Sequence, residues 1–188
     1  EALGLPVAAF DLVSPDTALS PDAGKTSASR QTFVSGRAAE KAGQALRAAI
    51  LRQGNFGDGA QLSLASGAIT AAGGGRLDLT ALPVDRQGYV LTAEESYDPP
   101  TSPLDADGQG TPYAVYGYGA QMVELEVDTR LGTVRLLKIT AAHDVGRAIN
   151  PMLIEGQVEG GIAQGIGLAL MEDYIAGRTE NLHDYLIP

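Results

Sequence analysis

The stretch Asn150-Pro-Met-Leu-Ile-Glu-Gly-Gln-Val-Glu-Gly-Gly-Ile-Ala-Gln-Gly-Ile-Gly-Leu-Ala-Leu-Met-Glu172 reads as one helix, although it carries Gly156, Gly160, Gly161, Gly165 and Gly167. A glycine inside a helix costs roughly 1 kcal/mol relative to alanine. So many in one helix imply that something passes close to its backbone. On a helical wheel Gly156, Gly160 and Gly167 fall near one another, as do Gly161 and Gly165. Gln157 and Gln164 are seven residues apart, so both amides project from one side. A smooth face with two neutral amides suits a large polar heterocycle, and it equally suits tight helix packing.

The segments around this helix read as follows. Glu1 to Gly4 resemble a helix tail closed by Gly4, with Pro6 beyond it. Val7 to Val13 predicts a short strand, and Ser14 to Thr26 a loop rich in Ser, Pro, Asp and Gly. Val34, Ala38, Ala42, Ala45, Leu46, Ala49 and Ile50 recur at helical steps and predict a helix from Ser29 to Gln53, capped by Ser27 or Ser29. Residues 54–110 form an irregular excursion with one or two short strands, a helical turn near Leu77 to Leu82 and a strand from Gly88 to Tyr97. Ala120 to Val127 alternates apolar and polar residues, Asp128 to Gly132 turns, and Thr133 to Ala141 continues as the clearest hairpin in the chain. A last strand begins near Tyr185. The elements show no regular βαβ alternation, so the fold class is α+β with a mixed β-sheet packed with helices.

Composition narrows the function. The net charge of −10, with scattered basic residues, argues against nucleic acid. The chain has no cysteine, which excludes disulfides, thiolate metal sites and iron–sulfur ligation by its own residues. No apolar run approaches the roughly 18 residues of a membrane span. Neither a P-loop nor a Gly-x-Ser-x-Gly elbow occurs. With His143 and His183 as the only histidines, the sequence assigns no metal ligand. His143 and Asp144 are neighbours on a strand and point to opposite faces, so they form no catalytic pair. Asp144-Val-Gly146 shapes the following turn.

The segment from Thr26 to Thr32 lies where a glycine-containing loop enters a helix. Free N–H groups and the helix dipole favour an anion there, and Ser27, Ser29, Gln31 and Thr32 add neutral donors and acceptors. Simple capping by the same residues remains the commoner arrangement.

Four stretches together resemble one family: Asp22-Ala-Gly-Lys-Thr-Ser-Ala-Ser-Arg-Gln-Thr32, Ala142-His-Asp-Val-Gly-Arg-Ala-Ile-Asn-Pro151, the glycine-rich helix, and His183-Asp-Tyr-Leu-Ile-Pro188. In order and spacing they are similar to the molybdopterin-binding large subunit of the xanthine dehydrogenase and aldehyde oxidase family, the molybdenum hydroxylases, in its C-terminal part. The resemblance covers nearly the whole chain and is weakest between Gly54 and Gln109.

That resemblance implies a molybdopterin cofactor, with or without a nucleotide extension. Contacts to it would come from Ala28, Ser29, Gln31, Thr32 and Gln157, with Ala28 nearest the metal. Arg30 is left open between a phosphate contact and solvent, and Gln164 is given a structural role. The implied enzyme is a molybdenum-dependent hydroxylase or dehydrogenase acting on an aldehyde or a purine-like N-heteroaromatic with water-derived oxygen. Iron–sulfur clusters and FAD belong to other domains or subunits. Expected partners are the remainder of the molybdenum subunit, those iron–sulfur and flavin parts, and a small-molecule substrate in a homo- or hetero-oligomer. No nucleic acid or membrane partner is expected, and the location is cytoplasmic.

The resemblance places the family's Gly-Gln-Gly loop before Glu1 and its Gly-Glu-Pro segment, which carries the general base, after Pro188, and no Gly-Glu-Pro occurs within 1–188. The chain thus reads as a partial molybdopterin-binding domain with no catalytic residue of its own, inactive alone. The alternative is a non-catalytic assembly or cofactor-binding domain of the same fold.

Overall fold

Apolar spacing of three and four residues produces the first long helix where the sequence predicts it. In the computed structural model, which describes residues 1–14 and 16–188, α1 spans Gln31–Gln53. It belongs to the first of two units, Glu1–Pro112. Ile50 on α1 is 3% exposed and joins Leu3, Leu62, Ile69 and Leu77 in the core cluster. The last three come from an antiparallel sheet of order β1-β2-β3, with β1 at Leu62–Ala65, β2 at Ala68–Ala71 and β3 at Arg76–Asp78. Ser66 and Gly67, at φ 48° and 73°, join β1 to β2, the left-handed pair that a tight hairpin turn requires. Phe56 fills the side of this core, and a Cβ on Gly75 would lie 2.8 Å from its ring.

Arg47 ties the unit together from α1. Its guanidinium donates to the Leu3 carbonyl at 3.0 Å and to the Ala60 carbonyl at 2.6 Å. Further along the helix, Lys41 donates to the Ser96 carbonyl at 2.9 Å, and Phe33 meets Tyr97 edge-on at 5.6 Å.

Two predicted strands of this unit do not form. Val7–Ala9 is a 3-10 turn instead of the start of a strand over Val7 to Val13. Val7 and Leu12 are 85% and 90% exposed, and no neighbouring ladder pairs with the segment. Gly88 to Tyr97 likewise pairs with no strand. Asp85 accepts the Tyr89 N–H, and Lys41 claims the Ser96 carbonyl, so side chains take up groups a ladder would use. The excursion over 54–110 holds more order than expected, since β1–β3 and a 3-10 turn at Leu79–Ala81 lie within it. The loop over Ser14 to Thr26 includes Pro15, which lies outside the described residues.

The second unit, Tyr113–Pro188, begins with the hairpin the alternation predicts. β4 (Tyr118–Asp128) pairs antiparallel with β5 (Thr133–Asp144), with an irregularity between Glu124 and Leu125. Val123, Leu125 and Val127 face the same side as Ile139, Leu136 and Val134. The opposite side carries Glu126 and Arg135, paired at 2.6 Å. The glycine-rich segment then forms α2, Pro151–Leu170, opened by Asn150, whose side chain accepts the Leu153 N–H at 3.2 Å.

No strand begins at Tyr185. The tail instead folds onto the end of α2, where Tyr185 Oη donates to Glu172 Oε2 at 2.5 Å. That carboxylate raises the Tyr185 pKa, first through the hydrogen bond. The class is α+β as expected, but both sheets are antiparallel rather than mixed, because short turns join sequential strands.

The chain covers little of its own apolar surface. Its accessible area is 15031 Å², whereas two self-contained units of these sizes would expose about 10,000 Å². β4 is exposed along its length, and Gly167 is the one buried residue of α2. With so small a core, Ile50→Ala should cost about 2–5 kcal/mol. Urea denaturation followed by helix circular dichroism will measure it, and a loss under about 0.5 kcal/mol would show that this cluster is not the core.

Candidate functional site

The loop before α1 has an unusual backbone. Ala28 and Ser29 both lie in the left-handed region, at φ 55° and 51°, where a residue with a Cβ is disfavoured by roughly 1–2 kcal/mol. The step turns the chain so that the N-cap of α1 is Arg30, and its side chain makes no capping bond. The expected caps Ser27 and Ser29 do not serve. The Ser27 contribution is its carbonyl, which accepts the Arg30 N–H at 3.3 Å. Ala28, Ser29 and Thr32 are exposed.

Gln31 is tied into the loop. Its amide donates to Thr26 Oγ1 at 3.0 Å and accepts from Ser35 Oγ at 2.5 Å. One N–H and one lone pair remain for another partner. Arg30, left open by the sequence, folds its side chain back on its own loop in this structure. Its Nε and Nη2 both reach the Lys25 carbonyl, at 2.9 and 2.6 Å, and Nη2 lies 3.4 Å from the Ala23 carbonyl. The scaffolding by Arg30, Thr26 and Ser35 has no signature in the sequence, because a long side chain folding back on its own loop leaves no periodic pattern.

Gln157 lies on α2 in the second unit and is exposed. A Cβ built on Gly156, Gly160, Gly161 or Gly165 would meet nothing within 4 Å. Gly167 differs, since Glu172 and Pro188 crowd it. Packing among the described residues therefore accounts for one of the five glycines. Gln164 is exposed too. Ala28, Ser29, Gln31 and Thr32 are neighbours in the first unit, and Gln157 belongs to the second.

His143 and Asp144 occupy the end of β5 as expected. The His143 ring lies where a Cβ on Gly119 would stand, 2.9 Å away, and Asp144 Oδ1 accepts the Gly146 N–H at 2.9 Å to shape the turn. A cleft of 360 Å³ lined by Glu1, Arg47 and Gln61, and one of 380 Å³ lined by Tyr174 and Tyr185, contain none of the five predicted contact residues.

A family model described as the molybdopterin cofactor-binding domain matches residues 1–188. The gamma subunit of the 6-hydroxypseudooxynicotine dehydrogenase complex of Paenarthrobacter nicotinovorans is 31% identical, over 95% of this chain and 23% of that protein. The xanthine dehydrogenase of Oryza sativa subsp. japonica is 29% identical, over 100% of this chain and 12% of its own length. The crystal structure of the aldehyde oxidoreductase from Desulfovibrio desulfuricans superposes with a TM-score of 0.66 at 28% identity, over 89% of this chain and 16% of that one. The chain thus belongs to the molybdopterin cofactor-binding domain family, and it spans about a quarter or less of the length of these relatives.

The donor set fits such a group. In the first unit the exposed hydroxyls of Ser29 and Thr32 offer neutral hydrogen bonds, and in the second the exposed amide of Gln157 stands on a helix whose Gly156, Gly160, Gly161 and Gly165 face open space.

Gly160→Ala separates the two explanations of the glycine face. Within this chain the added methyl meets nothing, so helix propensity should raise stability by about 0.5–1 kcal/mol. If thermal melting of the chain instead shows destabilisation, Gly160 is packed here and its glycine is structural.

Proposed function

We propose that this chain is a C-terminal portion of a molybdenum hydroxylase large subunit, in which it forms part of the molybdopterin cradle. The observation that carries the reading is the open glycine face of α2 beside exposed Gln157, in a chain that matches the family along its whole length. The cofactor contacts in this reading are Ala28, Ser29, Gln31 and Thr32 of the first unit and Gln157 of the second, with Gln157 hydrogen-bonding the pterin. Ala28 stands nearest the metal, where its small side chain and its backbone N–H allow a close approach. Bound molybdopterin supplies two-electron redox chemistry, and the protein supplies position and electrostatics.

The complete enzyme hydroxylates an aldehyde or an N-heteroaromatic substrate with oxygen from water. Relatives named for aldehyde, xanthine and 6-hydroxypseudooxynicotine oxidation support that range. Its catalytic base and most substrate contacts lie on polypeptide other than residues 1–188. Iron–sulfur and flavin groups on other domains or subunits carry the electrons away. The assembly is cytoplasmic and oligomeric. Among the described residues no helix is long and apolar enough to cross a membrane.

Two measurements test the reading. The isolated chain should show no substrate-dependent dye reduction above a cofactor-only control. In the complete subunit, Gln157→Ala should lower pterin content per folded molecule. Because Gln157 is exposed, stability should fall by no more than the 0.5–1.5 kcal/mol typical of one ordinary hydrogen bond. Unchanged pterin content would remove Gln157 from the cradle.

Ala28→Leu in the complete subunit should abolish turnover and leave the melting temperature unchanged, since the position is exposed in a polar loop. Overpacking a core site would instead cost about 1–3 kcal/mol. Full activity with unchanged melting would place the cofactor elsewhere.

A further inference from the structure

We propose that Arg30 is a positioning residue that holds the cofactor loop in its binding conformation before the cofactor arrives; this rests on the reading of residues 28–32 given above. The loop from Asp22 to Ser29 contains no regular structure and no buried side chain. Hydrophobic packing therefore cannot fix it, yet it holds two successive non-glycine residues in the left-handed region. Something must hold that geometry against relaxation.

The guanidinium of Arg30 does so by clasping the loop's own backbone. Nε and Nη2 converge on the Lys25 carbonyl at 2.9 and 2.6 Å, and Nη2 extends to the Ala23 carbonyl at 3.4 Å. Closing a chain from residue 23 to residue 30 with a rigid fork confines Ala28 and Ser29 between two fixed points. Gly24 permits the closure. At φ +72° it adopts a conformation few other residues accept, and a Cβ there would lie 3.0 Å from Nη2. A second tie runs in parallel, from Gln31 to Thr26 at 3.0 Å with Ser35 beneath Gln31. Arg30 makes no ion pair with any carboxylate among the described residues, so its charge-assisted bonds go to these carbonyls.

A clasp differs from a phosphate contact in one measurable respect. It orders the loop in the cofactor-free protein, whereas a phosphate contact acts after the cofactor binds. Lys25 lies inside the clasp and offers a direct probe, because a lysine-specific protease must open the loop to cut after it.

The test uses the complete subunit, prepared without cofactor and with it, as wild type, Arg30→Gln, Arg30→Met and Ala28→Leu. Loss of the charge-assisted bonds should speed cleavage after Lys25 about tenfold in both cofactor-free Arg30 variants, with the melting temperature unchanged. Pterin content per folded subunit should fall in the same variants, and the visible circular dichroism of the cofactor that remains should change. Unchanged cleavage after Lys25 in the cofactor-free variants overturns the proposal, and a fall in pterin content alongside it would make Arg30 a direct contact. Faster cleavage with normal pterin content also overturns it. In that case Ala28→Leu separates the two ideas: if it loses the cofactor, the site stands without the clasp, and if it keeps the cofactor, the site itself lies elsewhere.

Discussion

Hydrophobic burial in this chain is concentrated in one cluster, Leu3, Ile50, Leu62, Ile69 and Leu77, and the rest of the structure is arranged around that shortage. Each buried aliphatic side chain contributes about 1.5–3 kcal/mol, so such a cluster supports one small unit and little more. Polar ties therefore take on work that packing does elsewhere. Arg47 fastens the N-terminal segment and the Ala60 loop to α1, Lys41 fastens the Ser96 backbone, and Arg30 fastens the loop that leads into α1. All three reach backbone carbonyls from α1 or its N-cap, so this helix is the common anchor of the first unit.

The legible parts of the sequence were those whose periodicity has a local cause. The α1 stripe, the β4–β5 alternation and the α2 segment each announced themselves, and Asn150 with Pro151 marked the α2 start. The failures share a mechanism. Val7 to Val13 and Gly88 to Tyr97 have strand-like composition, but a strand exists only where another backbone pairs with it. The irregular appearance of residues 54–110 came from Gly73, Gly74 and Gly75, which form the connection between β2 and β3 at φ 100° to 110°. They are turn residues within a sheet, not marks of disorder.

The site was legible in a different way. Glycines in a helix and Gln157 beside them signalled a close approach without saying by what, and the structure leaves four of those glycines facing open space. Resemblance carried the pterin assignment where chemistry alone could not choose between a cap and a contact. At the loop, the capping explanation fails on geometry, since Arg30 occupies the N-cap without a side-chain bond. Gln31 proved half committed to Thr26 and Ser35, which no reading of residue types alone would have disclosed.

Both predicted contact regions carry a cost that the chain itself does not recover. Left-handed Ala28 and Ser29 and the four open glycines of α2 each cost about 1 kcal/mol relative to relaxed or alanine alternatives. Against a net stability of roughly 5–15 kcal/mol for an ordinary domain, that sum is large. Folding alone gives no reason to keep both, because alanine in the helix and glycine in the loop would each relieve the cost without disturbing the core. The features make physical sense when the missing contacts are supplied from outside the chain. A planar group laid along a glycine face gains contact area that side chains would block. The hairpin's apolar side, from Val123 to Val134, is likewise a surface that the described residues leave exposed.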